Sequence, residues 1–460
     1  MPSHKATTGL LGRRSGRIVV AGGGPAAVAA VEELRALGFA GEVTVLCGES
    51  TGPYDRTACS KGLIDGAQRP SDALLAMPGG ARWQLGERAV ELDPDDRVVT
   101  GSSGDHYPYD GLVIATGTTT STPEMWPADE AGVYQLRSLN DAGAVRAALR
   151  GAGRVAIVGG GLTGCELACA VTQTGRSAVV VDPHRALLQA TLGERFAALV
   201  TNEHRDAGID LVLGRSVCDL GRRRGRFRLR LSGATGKRYG LEHVDADIVV
   251  LATGQRPDTD WLAGTGFDTL DGVLCDEALR VVGGDGTVVA AGAVARWPNR
   301  WHGEEPDRCG HWIAAMEQGA AAARTLMAGE DPAIPCTVMP RFASYQGWLR
   351  IQAAGRLDLA DDIRLARVRP GRHSPARSGV VATYHWEGRS IGVAAVNAPV
   401  QFSAAYRTLL AQVDEPLPSL CHPAGKTDPT RSVAPGALGE PGDADPAAGL
   451  REPVLSLAVH

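Results

Sequence analysis

The sequence predicts an α/β fold: two Rossmann-like dinucleotide-binding domains and a small α+β domain near the C-terminal end. Three observations predict it. A strand–glycine turn–helix–strand unit occurs twice, over Arg17–Cys47 and over Arg154–Asp182. Two further apolar strands, Leu112–Ile114 and Ile248–Leu251, each run into the tripeptide Ala-Thr-Gly. From about Pro340 to Leu410 the texture changes to short strands and hairpin-like turns, such as Trp386-Glu-Gly-Arg389. Alternating strands and helices mark parallel sheets covered by helices, and a late run of short strands marks a separate unit.

Residues 1–16 are basic and punctuated by Gly and Ser, which reads as a flexible leader. Arg17–Ala21 is a short buried strand that ends in Gly22-Gly-Gly24-Pro-Ala-Ala27, and an Ala-rich helix follows to about Leu37. Glu42–Cys47 is the next strand. A dinucleotide pyrophosphate needs a turn whose backbone can approach the phosphates at the positive end of a helix. Gly22 and Gly24 allow that approach, and Ala27 permits close helix–strand packing. Glu49 stands beyond the next strand, where a carboxylate can hold a ribose hydroxyl. The second copy carries Gly159, Gly161 and Gly164, and Asp182 closes the following strand as an acceptor for a ribose 2′-OH. Two fingerprints in one chain call for two dinucleotides, and the economical pair is FAD with NADH or NADPH. Asp182 favours NADH, since a carboxylate repels a 2′-phosphate.

The 460 residues are too many for one core. A formal charge of −5 gives no reason to expect nucleic acid as a partner. The apolar runs are shorter than the ~20 residues a bilayer span needs. Nine cysteines are scattered without a C-x-x-C or a metal-type cluster, which indicates reduced thiols, a cytoplasmic protein and no metal site. Cys165 and Cys169 share one face of the second fingerprint helix and read as core. From residue 413 to 460, Pro, Ala, Gly and Asp dominate without periodicity, the composition of a disordered tail.

Beyond the fingerprints, the chain carries Pro53-Tyr-Asp-Arg56 with Ser60-Lys61, Leu136-Arg-Ser-Leu139-Asn-Asp141, and Gly254-Gln-Arg256-Pro257. Gly292-Ala-Val-Ala-Arg296-Trp-Pro298-Asn299, His311-Trp312 with Glu317-Gln318-Gly319, and Val396-Asn397 follow. In these motifs, over roughly residues 17–410, it resembles the ferredoxin reductases of haem-thiolate monooxygenases and ring-hydroxylating dioxygenases. These belong to the glutathione-reductase-like flavoproteins. The resemblance implies an FAD domain in two segments, 17–125 and 245–330, interrupted by an NAD domain, 126–244. A reductase-type C-terminal domain, 331–412, would cover the flavin. FAD would be held by the first fingerprint, Arg56, Lys61, Ala115-Thr116-Gly117 and the Gly292–Ala293 segment, with Gly254 and Trp312 at the cofactor sites. Lys61 would sit beside flavin N5, paired with Glu166, and the electrons would pass to a [2Fe–2S] ferredoxin, from a monomer or a homodimer.

The chain departs from that pattern around the flavin. Ala293 replaces an aspartate, Gly310 a glutamate, and Ala343 and Tyr345 replace tryptophan and aspartate in Phe342-Ala-Ser-Tyr-Gln346. Cys59 stands where leucine is usual, either as a small buried hydrophobe or as a flavin-proximal thiol, and Cys309 lies two residues before His311. Three alternatives therefore stay open beside the ferredoxin reductase. They are a flavoenzyme acting on a small organic substrate, a disulfide or peroxide reductase using Cys59, and a nucleotide-binding interaction protein without turnover.

Overall fold

The computed structural model describes residues 15–122, 126, 130–232, 243–301, 303–329, 332–368 and 379–412. The leader through residue 14 and the tail from residue 413 lie outside these residues.

Continuous Val/Ile/Leu strands can be buried on both faces only inside a parallel sheet covered by helices. The first sheet meets that demand with the order Val288–Ala290, Gly111–Ile114, Arg17–Ala21, Glu42–Cys47, Arg82–Leu85, all parallel. It is completed by a strand from far downstream, so it is assembled from two chain segments. Between them lies a second parallel sheet, ordered Asp210–Leu213, Ser177–Asp182, Arg154–Val158, Ile248–Leu251, Val133–Gln135. In both sheets the fingerprint strand is central, with the Ala-Thr-Gly strand on one side and the strand after its helix on the other. That arrangement opens a crevice at the carboxyl ends of the strands, at the switch point of the order. The chain enters and leaves the second unit side by side, because Thr118–Thr120 pairs antiparallel with Gln255–Pro257.

The third sheet is antiparallel, ordered Arg341–Gln346, Leu349–Gly355, Arg389–Val396, Gly379–Trp386, Asp362–Val368. One of its hairpins is the turn expected at Trp386–Arg389, with Glu387 and Gly388 at φ 50° and 80°, as a two-residue hairpin of right-handed twist requires. A helix over Pro399–Leu410, not identified from the sequence, covers this sheet with Phe402 and Leu409. The third sheet docks on the second unit: Leu349, Ile351, Tyr384 and Ile391 share one core with Val155, Leu167 and Phe196. Tyr384 Oη donates to the Leu192 carbonyl at 2.7 Å across that contact. No helix among the described residues is long and apolar enough to cross a membrane.

Candidate active site

The two fingerprint turns are built alike. Gly22 and Gly159 sit at φ 122° and 113°. A Cβ on them would lie 2.1 Å from the Ala115 carbonyl oxygen and 2.2 Å from that of Ala252. Each turn is thus pressed against its Ala-Thr-Gly strand, which is why both positions need glycine. Gly24 and Gly161 face the other way, with no atom within 4 Å of an added Cβ. They are the N-caps of the helices Pro25–Ala36 and Leu162–Gln173, and neither helix has a side-chain cap. Ala27 is fully buried in the first helix, and a Cβ on Gly164 would sit 1.9 Å from the Gly159 carbonyl oxygen, so both helices lie tight on their strands.

Around the first turn, Glu49 accepts from Tyr54 Oη at 2.6 Å and from the Arg56 guanidinium. Arg56 also donates to Tyr54 Oη at 2.7 Å, which fixes its direction. The carboxylate expected to meet a ribose hydroxyl is therefore already held at both oxygens, with lone-pair directions left for a further donor. Arg137 lies next to Arg56, and burial, followed by the Arg56 charge, brings its guanidinium down to about 10. Two adjacent guanidinium groups are an anion-binding arrangement. Arg137 sits in a quoted motif but was given no role from the sequence. Its Ser138–Asp141 capping box, which places it, was the available signal.

Around the second turn, Asp182 is 7% exposed and accepts from Gly160 N–H at 2.6 Å, His184 N–H at 2.7 Å and His184 Nδ1 at 2.8 Å. Its carboxylate braces the glycine turn.

Between the two units lies the most connected group. Lys61 Nζ donates to Glu166 Oε2 at 2.8 Å and to the Thr57 carbonyl at 2.6 Å. Glu166 also accepts from Ser60 Oγ, and from Ser344 Oγ of the third sheet at 2.6 Å. Lys61 and Glu166 come from opposite sides of the molecule's two-unit division, 105 residues apart. Cys59, one turn away, is 3% exposed, and burial pushes its thiol up to about 11. Cys309 is likewise buried and pushed up to about 11.

Thr116 Oγ1 donates to the Asp258 carbonyl at 2.7 Å, while Gly117 and Gly254 turn the chain at φ 72° and 103°. Gly292 N–H donates to Gln318 Oε1 at 2.6 Å, which leaves Ala293 half-buried at the head of its loop. Trp312 opens the 17-residue helix Trp312–Ala328, whose N-cap, His311, makes no side-chain cap bond. Burial drives the His311 imidazole down to about 4, and its ring lies 5.1 Å from that of Phe342. No group of three or more His, Cys, Asp or Glu able to hold a metal exists among the described residues.

The profile of the pyridine nucleotide-disulphide oxidoreductases matches residues 16–319. The chain belongs to this family. Within it, the ferredoxin–NAD(+) reductase component of the biphenyl dioxygenase system of Paraburkholderia xenovorans (strain LB400) is 30% identical over 403 residues, 86% of this chain and 93% of that protein. The corresponding component of the anthranilate 1,2-dioxygenase system of Burkholderia cepacia is 30% identical over 400 residues, 85% and 94% of the two chains. The crystal structure of Fdr9 is 30% identical with a TM-score of 0.71, covering 86% of this chain and 95% of that one. The covalent putidaredoxin reductase–putidaredoxin complex shares the fold at 23% identity and a TM-score of 0.75, over 88% and 94%. The protein is thus an NAD(P)H oxidoreductase of the ferredoxin-reductase type, and this family implies FAD and NAD(P)H. The residues present fit both groups. Open glycine cradles stand in front of two uncapped helix N-termini.

Proposed function

We propose that the protein oxidises NADH and delivers the electrons one at a time to a [2Fe–2S] ferredoxin that serves an oxygenase. The observation that carries this reading is the Lys61–Glu166 ion pair, which ties the first nucleotide unit to the second. FAD, when bound, supplies the exchange between a two-electron hydride and single electrons. The first fingerprint, Arg56 and Arg137 hold its pyrophosphate, and Gly159–Gly164 with Asp182 hold NADH. Lys61 places an ammonium group on the flavin N5 side, where it favours incoming electron density, and Glu166 fixes that ammonium in direction. No side chain has to abstract a proton for hydride transfer, so the chain contributes placement and charge. Cys59, buried and protonated at neutral pH, supports electron transfer over a thiol route. The eight cysteines among the described residues are all free, which supports a cytoplasmic site of action.

The test is cytochrome c reduction by the holoenzyme with NADH, with and without an added [2Fe–2S] ferredoxin. Ferredoxin-dependent reduction is the expected result. NADH-driven dye reduction with no ferredoxin-dependent component would refute the assignment of the acceptor and turn it toward a small organic substrate.

A further inference from the structure

We infer that Ser344, carried by the first strand of the third sheet, is a positioning residue for the Lys61–Glu166 pair. It sets the carboxylate, and through it the ammonium that faces the flavin. The inference rests on the functional reading above.

The geometry leaves Ser344 one way to act. A hydroxyl has one proton to give, a carboxylate only accepts, and an amide NH2 only donates. Ser344 Oγ lies 2.6 Å from Glu166 Oε1 and 3.0 Å from Gln346 Nε2. Gln346 must therefore donate to Ser344, and the Ser344 proton must go to Glu166. Ser344 is 1% exposed, Gln346 0% and Glu166 7%, so water does not compete for these bonds. The other carboxylate oxygen, Oε2, takes both Ser60 and Lys61. Oε1 depends on Ser344 alone among the described residues. Both Ser344 and Gln346 project from one face of Arg341–Gln346, since residues two apart on a strand share a face. The strand thus delivers donor and supporting amide together, 178 residues from the carboxylate they hold.

Removing the Ser344 hydroxyl leaves Oε1 without a donor in a buried site. The carboxylate then keeps more of its negative charge uncompensated beside Lys61, which weakens the net positive field at the flavin and lowers its reduction potential.

The experiment is a reductive titration of the holoenzyme against a reference dye, beside stopped-flow reduction by NADH, for wild type, Ser344→Ala and Ser344→Thr. Ser344→Ala is expected to shift the two-electron equilibrium about tenfold toward oxidised flavin, a fall of ~30 mV. It should slow flavin reduction by a similar factor, at unchanged FAD content and NADH affinity. Ser344→Thr, which keeps the hydroxyl, should restore both. A wild-type potential and rate in Ser344→Ala would overturn the inference, as would an equal loss in both variants. Should Ser344→Ala fail to fold, Gln346→Leu gives the same direction with a smaller shift, and a wild-type potential there overturns it too. The potential is read without NADH or ferredoxin, so a failure of the functional reading shows separately, as a wild-type flavin that NADH does not bleach.

Discussion

Gly319→Ala is expected to destabilise the protein and loosen its FAD, although alanine is the better helix former. Gly319 lies within the helix Trp312–Ala328, which crosses the first fingerprint helix. A Cβ there would stand 2.1 Å from the Ala26 carbonyl oxygen and 3.0 Å from the Ala26 Cα. Ordinary carbon–oxygen contacts are about 3.3–3.6 Å, so the two backbones must part by roughly an ångström. Overpacking of a core costs about 1–3 kcal/mol, and the upper end applies because backbone cannot swing aside as a side chain can. Alanine returns about 1 kcal/mol through helix propensity, which leaves a net loss of ~2 kcal/mol. For a domain of this size that lowers the Tm by about 4–8 °C. Ala26 belongs to the first turn of the helix whose N-terminus faces the pyrophosphate cradle, so the displacement also reaches the cofactor. Gly143→Ala is the matched control. It lies exposed in the helix Leu139–Leu149, with nothing within 4 Å of the added Cβ, and should gain about 0.5–1 kcal/mol. Calorimetry and the FAD-to-protein ratio after gel filtration read both effects. A Gly319→Ala protein as stable as Gly143→Ala, with full FAD, would refute the reasoning.

Lys61→Met should slow NADH-driven flavin reduction and lower stability by about 3 kcal/mol, the low end for a broken buried pair, because Ser60 and Ser344 still serve Glu166. Adding Glu166→Gln should recover stability without recovering the rate, as denaturant melts and stopped-flow traces will show. Cys59 holds its proton more tightly folded than unfolded, so its contribution is present below pH 9.0 and lost as pH rises through about 11. Cys59→Ser should flatten that alkaline loss, measured by pH-dependent melting, and retain dye reduction within several-fold. At pH 8, iodoacetamide followed by mass spectrometry should label exposed Cys218 well before Cys59. NADH should be preferred to NADPH, because Asp182 presents a buried carboxylate at the ribose end of the second strand, and equal kcat/KM values would contradict it.

The two fingerprint strand–helix–strand segments were legible in the sequence almost to the residue, because buried parallel strands and glycine turns write strong local patterns. The strands Arg17–Ala21, Glu42–Cys47, Arg154–Val158 and Ser177–Asp182 have the bounds their composition indicates. The helix Pro399–Leu410 was missed inside a segment read as strands. Its signal was present in Pro at the first turn and in Phe402, Ala405, Tyr406 and Leu409 at helical spacing. The Ser344–Glu166 bond had no local signature, since nothing in a strand pattern reveals which distant carboxylate its inner face will meet. The replacements at Ala343 and Tyr345 are a related case. They fall on the exposed face of the strand, Tyr345 being 50% exposed, whereas Ser344 and Gln346 point inward. A revised motif in the sequence thus leaves the buried hydrogen bonds of that strand in place.

The late strand of the first sheet bears on how the chain is made. Val288 pairs with Leu112, so translation must pass the entire second unit before the first can close. The second unit has all five strands of its sheet between Val133 and Leu251, and it can fold while the earlier strands still wait for their partner. Non-local pairing of this kind is slow, and an unfinished parallel edge is a template for association with other chains. The paired strands Thr118–Thr120 and Gln255–Pro257 shorten the wait, because closing them brings the two halves of the interrupted sheet within reach before residue 288 has to find residue 112.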